Sequence, residues 1–159
     1  MCLVIKKNAR IKKAKKDIPV YKLVLHEDKK FLTPCQSQEV ELGNTYETDG
    51  VFKAFNPEQD ERVCNDMAED EVYVEAGLFH SFLDKEEAET VYKMYKNVGY
   101  KPVLVNCTIP KGAKYLTGWC KFQRTYIFGM TIEKHVCKSI GSTIIRYDSI
   151  EKFYSVTQN

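Results

Sequence analysis

The sequence predicts an α+β fold, a single domain of mainly antiparallel sheet with one principal amphipathic helix. Its 159 residues and 43% apolar content suit one domain that buries its own core. One window has helical periodicity, whereas several shorter runs are rich in β-branched and aromatic residues and end at turn residues. No internal repeat and no Pro/Gly-rich linker divides the chain.

The first predicted element is a β-hairpin. Val20–Leu25 alternates apolar and amphipathic residues, which is typical of a half-buried strand. The charged turn at Glu27–Lys30 then leads to a second short strand.

The predicted helix runs from Asp84 to about Val98. Asp84 can accept hydrogen bonds at the N-cap, and Glu87, three residues later, can complete a capping box. Gly99 supplies a left-handed C-terminal stop. An apolar stripe at helical spacing predicts the core-facing side: Ala88, Val91, Tyr92 and Tyr95.

Three strands are predicted after the helix, at Val103–Ile109, Thr125–Ile132 and Ser142–Ile150. Pro110–Gly112 follows the first of them and has the composition of a turn. Gly129, within the second of these strands, and Gly141, just before the third, predict bends or bulges. The predicted order is therefore β-β-(loop)-α-β-β-β.

Charge divides the chain unevenly, although the formal net charge is only +2. Seven of the 24 basic residues precede the first acid, Asp17, and the remainder of the chain has a net charge of −5. The sequence therefore predicts a basic N-terminal arm at residues 1–16 and one α+β domain at residues 17–159. The basic residues of the arm are Lys6, Lys7, Arg10, Lys12, Lys13, Lys15 and Lys16.

Three interpretations of this arm stay open: a solvated tail, a nucleic-acid contact, and a contact with an acidic protein. The arm has no aromatic residue, whereas single-strand binders combine cations with stacking rings. A nucleic-acid role would therefore be phosphate neutralisation without sequence readout.

A second charged stretch, Glu58–Glu75, holds eight acids against Arg62 alone. It predicts a loop or an exposed helix. Catalytic carboxylates need burial or a partner that separates their pKa values, so a solvated acidic face is favoured over acid–base chemistry.

The six cysteines are widely scattered, and no export signal precedes them, because Lys6 and Lys7 interrupt the N-terminal apolar residues. We therefore expect thiols rather than disulfides, with Cys107 as a small core residue. The nearest approach to a metal motif is His135-x-Cys137, whose two side chains share one face of a strand, and we expect no metal site. The chain also lacks an apolar window of membrane-spanning length, which predicts a cytoplasmic protein.

Three short patterns carry a resemblance to known proteins. They are Tyr21-Lys22 in the opening strand, Gly77–Phe82 before the helix, and Val105–Tyr115 with its I-P-K-G-A-K-Y ending, and together they resemble small modules of phages and gut bacteria. More distantly, the order of strand, G-F-x-S-like segment, helix and I-P-K-G strand is similar to ADP-ribosyltransferase folds.

The transferase resemblance implies an NAD cleft between two sheets, with His80 and Ser81 near the nicotinamide and Tyr21 or Lys22 on the strand that usually supplies Arg or His. Such transferases carry a Glu in an E/Q-x-E motif, and this chain has no such motif after Gly112. His80 also has a structural interpretation, as a packed or capping imidazole.

The sequence therefore favours a non-catalytic intracellular binding protein of phage or mobile-element type, with no cofactor. Its partner would be a bacterial protein or ribonucleoprotein, and an inhibitor of a host defence system such as CRISPR is one example. The first alternative is an ADP-ribosyltransferase-like enzyme or a degenerate relative, with NAD as cofactor and His80, Ser81 and Tyr21 as its site. The second is sequence-independent binding of RNA or DNA through the basic arm.

Overall fold

The computed structural model describes residues 3–34, 37–55, 69–74, 77–125 and 131–154. These residues form a mostly antiparallel sheet with a single helix, as the sequence predicts. The helix is α1 (Lys85–Asn97). The strands are β1 (Leu3–Lys6), β2 (Lys12–Lys13), β3 (Ile18–Glu27), β4 (Lys30–Leu32), β5 (Glu39–Val40), β6 (Thr45–Glu47), β7 (Ala54–Phe55), β8 (Glu71–Val74), β9 (Phe79–Phe82), β10 (Pro102–Ile109), β11 (Lys114–Thr125), β12 (Thr131–Ser142) and β13 (Ile144–Phe153).

The strands follow the order β6-β13-β10-β3-β9-β12-β11-β1-β8-β7, with β2 beside β11, β4 beside β3 and β5 beside β4. Strand β10 is central because it pairs along its length with both β3 and β13. Its residues Val103, Leu104 and Val105 are buried on both faces of the sheet, which is why this strand reads as a continuous apolar run.

Buried side chains gather on both faces of the sheet. The helix-side cluster lies under α1 and consists of Leu23, Phe82, Ala88, Val91, Tyr92, Leu104, Cys120 and Cys137. The opposite-face cluster includes Val20, Val24, Val103, Val105, Cys107, Ile109, Ile140, Ile145 and Tyr147. A third cluster, the N-terminal cluster, consists of Leu3, Ile5, Val74 and Leu116. Side chains alternate between faces along a strand, so Leu104 joins the helix-side cluster while its neighbours Val103 and Val105 join the other.

The helix begins and ends close to its predicted limits. The backbone N–H of Glu87 donates to Asp84 Oδ1 at 3.0 Å, which confirms Asp84 as the N-cap. The carboxylate of Glu87 accepts from the backbone N–H of Lys138 at 3.2 Å, and it thereby connects α1 to β12. Gly99 has φ of +92°, the left-handed conformation expected after a helix end.

Removing the N-cap should weaken α1 measurably. We expect Asp84→Ala to lower the free energy of unfolding by about 1 kcal/mol, because the N–H of Glu87 loses its acceptor. Asp84→Asn keeps a capping oxygen and is the matched control, with a loss of a few tenths of that value. Urea denaturation followed by circular dichroism measures both, and equal stability of the two variants would contradict the capping role.

The predicted hairpin is confirmed. β3 and β4 pair from Leu25 opposite Leu32 to Glu27 opposite Lys30. The two turn residues, Asp28 and Lys29, both have positive φ, at 49° and 65°. Two left-handed residues between antiparallel strands match the twist of the sheet.

The later strands differ from their predicted limits. Thr125 ends β11 and Thr131 begins β12, so the predicted strand Thr125–Ile132 instead spans the ends of two antiparallel neighbours. Residues 126–130, including Gly129, lie outside the described residues. The predicted strand Ser142–Ile150 is β13, which begins at Ile144 and continues to Phe153. Turn composition alone did not locate these strand ends. Pairing with neighbouring strands holds residues beyond the predicted limits in the extended conformation.

The prediction of a bend or bulge at Gly141 is wrong. Gly141 lies in regular register opposite Leu116 on β11 and His80 on β9. A Cβ at this position would lie 2.8 Å from Leu3 Cδ2 and 3.0 Å from Leu78 Cδ1. The glycine therefore makes room for packed side chains rather than turning the chain.

The basic segment differs from the arm that the sequence predicts. Strand β1 pairs with β8 and β11, and β2 pairs with β11. Leu3, Val4 and Ile5 are at most 5% exposed, and Ala14 is 3% exposed. Burial of these apolar side chains anchors the segment to the sheet through β1 and β2, although the composition of the segment is dominated by cations.

Candidate functional site

Backbone pairing fixes the basic segment against the turn before β11. Lys13 lies opposite Lys114, and Lys12 lies opposite Tyr115. Two further hydrogen bonds connect the same segments: Ala14 N–H donates to the carbonyl of Ala113 at 2.8 Å, and Gly112 N–H donates to the carbonyl of Ala14 at 2.8 Å. The turn after β10 is thereby locked beside β2.

This pairing adds two lysines to the basic segment, Lys111 and Lys114. We call the resulting surface the basic edge: Arg10, Lys12, Lys13, Lys15, Lys16, Lys111 and Lys114. All seven side chains are exposed. Asp17 lies beside them, and its Oδ1 accepts from the backbone N–H of Lys111 at 2.9 Å, which holds the turn in place.

The start of the segment has a different environment. Lys6 Nζ lies 2.9 Å from Asp70 Oδ2 and 5.8 Å from the centre of the Trp119 ring. The hydrogen bond with Lys6 holds the pKa of the Asp70 carboxyl below its usual value, and the same bond raises the pKa of Lys6. Lys7 is exposed, and its backbone N–H donates to the carbonyl of Asp70. Lys6 is therefore ion-paired with Asp70, and its expected role as a ligand-binding cation stays a prediction.

The described part of the acidic stretch is not the loop or exposed helix that the sequence predicts. Glu69 and Asp70 form an exposed turn, but Glu71–Val74 is strand β8. Glu71 is 6% exposed, and its Oε1 lies 3.6 Å from Lys121 Nζ. Pairing with β1 explains the difference, because Val72 and Val74 supply an apolar face that the acid count conceals. The acids from Glu58 to Asp66, and Glu75, lie outside the described residues.

The residues that the transferase resemblance implies as a site lie on two neighbouring strands, Tyr21 and Lys22 on β3 and His80 and Ser81 on β9. Tyr21 on β3 lies opposite Phe82 on β9, and Lys22 Nζ donates to the carbonyl of His80 at 2.9 Å. Lys22 and Ser81 are buried, at 6% and 2% exposed, whereas Tyr21 is half-buried.

Ser81 is poorly placed for nucleophilic chemistry. Its Oγ is buried and has no hydrogen-bond partner among the described residues. His80 precedes it in a β-strand, where adjacent side chains point to opposite faces. An activated serine needs a base within hydrogen-bond reach, and the alternation of β9 directs the neighbouring imidazole away.

Cys107, Cys120 and Cys137 are buried thiols in the structure. Burial raises the pKa of Cys107 to about 12 and that of Cys137 to about 11, so both are protonated at neutral pH. Cys2, Cys35 and Cys64 lie outside the described residues. Within the described ranges, no group of three or more His, Cys, Asp or Glu side chains could hold a metal ion.

Sequence reasoning missed Lys111 and Lys114 as members of the basic edge. Both lie about 100 positions after the basic segment, within a motif that reads only as a turn and a strand start. The sequence does show two lysines close to Gly112. Only the pairing of β2 with β11 shows that these lysines lie beside the basic segment.

No protein-family model, no curated protein and no solved structure matches this chain. The described residues form a mostly antiparallel sheet with one helix and a cationic edge. In the part of the chain that the structure describes, no helix is long and apolar enough to cross a membrane.

Proposed function

We propose that this chain is a non-catalytic binding protein that holds the phosphate backbone of a nucleic acid, free or within a bacterial ribonucleoprotein, against its basic edge. A phage or mobile-element protein that acts on a host complex, such as a CRISPR defence complex, would have this property. No cofactor is required for it.

The observation that carries the proposal is the register of β2 on β11. Lys13 and Lys114 lie directly opposite each other, and both are exposed. Like charges opposite each other on antiparallel strands destabilise the pair. The arrangement therefore costs stability in the isolated protein, and a bound polyanion would remove that cost.

The dimensions of the basic edge suit a polyanion. Residues 10–16 span at most about 20 Å, which is the axial length of about six phosphates of one strand. Lys111, in the turn before β11, and Lys114, the first residue of β11, flank the same segment. Lys12 and Lys13 are adjacent in β2, so their side chains point to opposite faces and flank this edge strand from both sides. Among the described strands β2 pairs with β11 alone, so a phosphate backbone lying along its other edge could contact cations from both faces at once. None of these contacts would read the sequence of the bases.

The proposal predicts that three of these lysines matter together. We expect the combined substitution Lys12→Ala, Lys13→Ala and Lys114→Ala to weaken binding of a fluorescein-labelled RNA about 10- to 100-fold at 0.1 M salt, because three phosphate contacts are lost. The slope of log K against log salt should become shallower by about 2 to 3. Fluorescence anisotropy at several salt concentrations measures both quantities.

The matched control is Lys93→Ala, Lys96→Ala and Lys101→Ala, which removes the same charge from exposed positions in and after α1. Its affinity and salt slope should stay near those of the unmodified protein. If both triple variants weaken binding equally, net charge alone explains binding. Absence of salt-dependent binding by the unmodified protein would overturn the proposal.

The ADP-ribosyltransferase-like alternative makes a separate prediction. NAD would raise the melting temperature by mass action, and His80→Ala would abolish that rise. Our proposal expects no shift with NAD and a rise with RNA. The burial of the Ser81 hydroxyl supports the non-catalytic interpretation.

A further inference from the structure

Two cysteines that are 17 positions apart in the sequence lie opposite each other in the sheet. Cys120 on β11 is the register partner of Cys137 on β12. They are 4% and 3% exposed, and both belong to the helix-side cluster beneath α1. Both side chains therefore lie on the same face of the same antiparallel pair.

The hydrogen bonds of the neighbouring residue define the geometry of this pair. The backbone N–H of Lys138 donates to Glu87 Oε1, and its carbonyl accepts from the backbone N–H of Leu83. Both backbone groups of Lys138 therefore point away from β11. Since these groups alternate along a strand, those of Cys137 point toward β11. Cys120 and Cys137 are thus a hydrogen-bonded pair, for which the Cα atoms lie about 5.5 Å apart. Disulfides occur at Cα separations of about 4.4 to 6.8 Å and at Cβ separations of about 3.5 to 4.5 Å. The Cα atoms of such a pair are therefore already in range, whereas the Cβ atoms start about 5.5 Å apart and must approach each other by about 1 Å for the bond to form.

We propose that Cys120 and Cys137 form a cross-strand dithiol that an oxidant of the peroxide class converts into a disulfide. Burial keeps the Cys137 thiol protonated at neutral pH, so the first step takes place when this part of the fold opens locally and one thiol loses its proton. That thiolate attacks a peroxide oxygen, the O–O bond breaks, and a sulfenic acid forms, while the leaving hydroxide takes up the released proton as water when hydrogen peroxide is the oxidant. The second sulfur then attacks the sulfenic sulfur, an S–S bond forms, and a second water leaves. Two thiols lose two electrons, and one hydrogen peroxide becomes two waters.

Burial determines how this modification behaves. Because both sulfurs lie under α1, an oxidant reaches them only when that part of the fold opens locally. Oxidation is therefore slow, and the resulting disulfide is shielded from reductants in the same way. The bond would connect β11 to β12 where the helix packs, and it would reduce the entropy of the unfolded chain.

The test begins with the full chain in the thiol form, treated with hydrogen peroxide while circular dichroism confirms that it stays folded. The remaining thiols are then alkylated in denaturant, and the protein is digested with trypsin. Cleavage after lysine places Cys120 in Tyr115–Lys121 and Cys137 in His135–Lys138. We expect these two peptides to appear joined, lighter than their summed masses by two hydrogen atoms. The oxidised protein should melt about 5 to 10 °C higher.

Cys107 is the internal control, because it is equally buried but lies opposite Val20 and Tyr147. It should remain alkylated, and Cys107→Ser should keep both the joined peptide and the rise in melting temperature. Cys120→Ser and, separately, Cys137→Ala should lose both. If the folded protein consumes peroxide but gives only sulfinic acids or links to other cysteines, the proposal is overturned. A joined peptide that forms only in denaturant would overturn it as well.

Discussion

Deleting residues 1–16 is expected to unfold the protein rather than to remove a dispensable arm. Strand β1 pairs with both β8 and β11, so its loss would leave the facing edges of two strands unpaired. Leu3 and Ile5 also fill the N-terminal cluster together with Val74 and Leu116. The deletion therefore removes part of the core as well as seven cations.

Single substitutions within this segment should separate its contribution to the core from its contribution of positive charge. Leu3 is 0% exposed, and we expect Leu3→Ala to lower the free energy of unfolding by about 2 to 5 kcal/mol through lost burial and a cavity. A domain of this size has only about 5 to 15 kcal/mol in total, so the full deletion should exceed what the fold tolerates.

The matched control replaces cations in the same segment. Lys12→Ala with Lys13→Ala removes exposed side chains and should change stability by less than about 1 kcal/mol, since substitutions at exposed positions usually have small effects. Urea denaturation of the three variants provides the measurement. A deletion variant that keeps its circular dichroism spectrum and melts cooperatively near the full chain would show that β1 contributes nothing to the core.

Gly118→Ala should cause the second large loss of stability. A Cβ at position 118 would lie 2.0 Å from the carbonyl oxygen of Val4 and 3.0 Å from Ile5 Cγ2. The first of these contacts is with backbone, which cannot move without displacing β1 from β11. We expect a loss of about 3 kcal/mol, at the upper end for overpacking.

Gly141→Ala is the matched control for this substitution. Its nearest neighbours would be side-chain carbons of Leu3 and Leu78, the ends of which can shift. Its loss should therefore be smaller, and urea denaturation of both variants would measure the difference. If Gly118→Ala is no less stable than Gly141→Ala, the close approach of β1 to β11 is not what requires glycine at position 118.

Local sequence patterns correctly predicted the features that depend only on residues close together in the sequence. The cap at Asp84, the stop at Gly99 and the turn at Asp28–Lys29 each depend on residues within one turn of helix or one hairpin. The same reasoning failed at Gly141, because its role depends on Leu3, which lies far away in the sequence. It also failed for Glu71–Val74, where acids mask an apolar strand face.

The mostly antiparallel sheet, the single capped helix and the excess of cations before Asp17 could all be predicted from local patterns. The pairing of β1 and β2 with distant strands, the position of Lys111 and Lys114 beside the N-terminal cations, and the placement of Cys120 opposite Cys137 could not. Each of these depends on strand register, which is a long-range property. Pairing between distant segments is selected by the burial of side chains from many strands at once, and no local pattern encodes it.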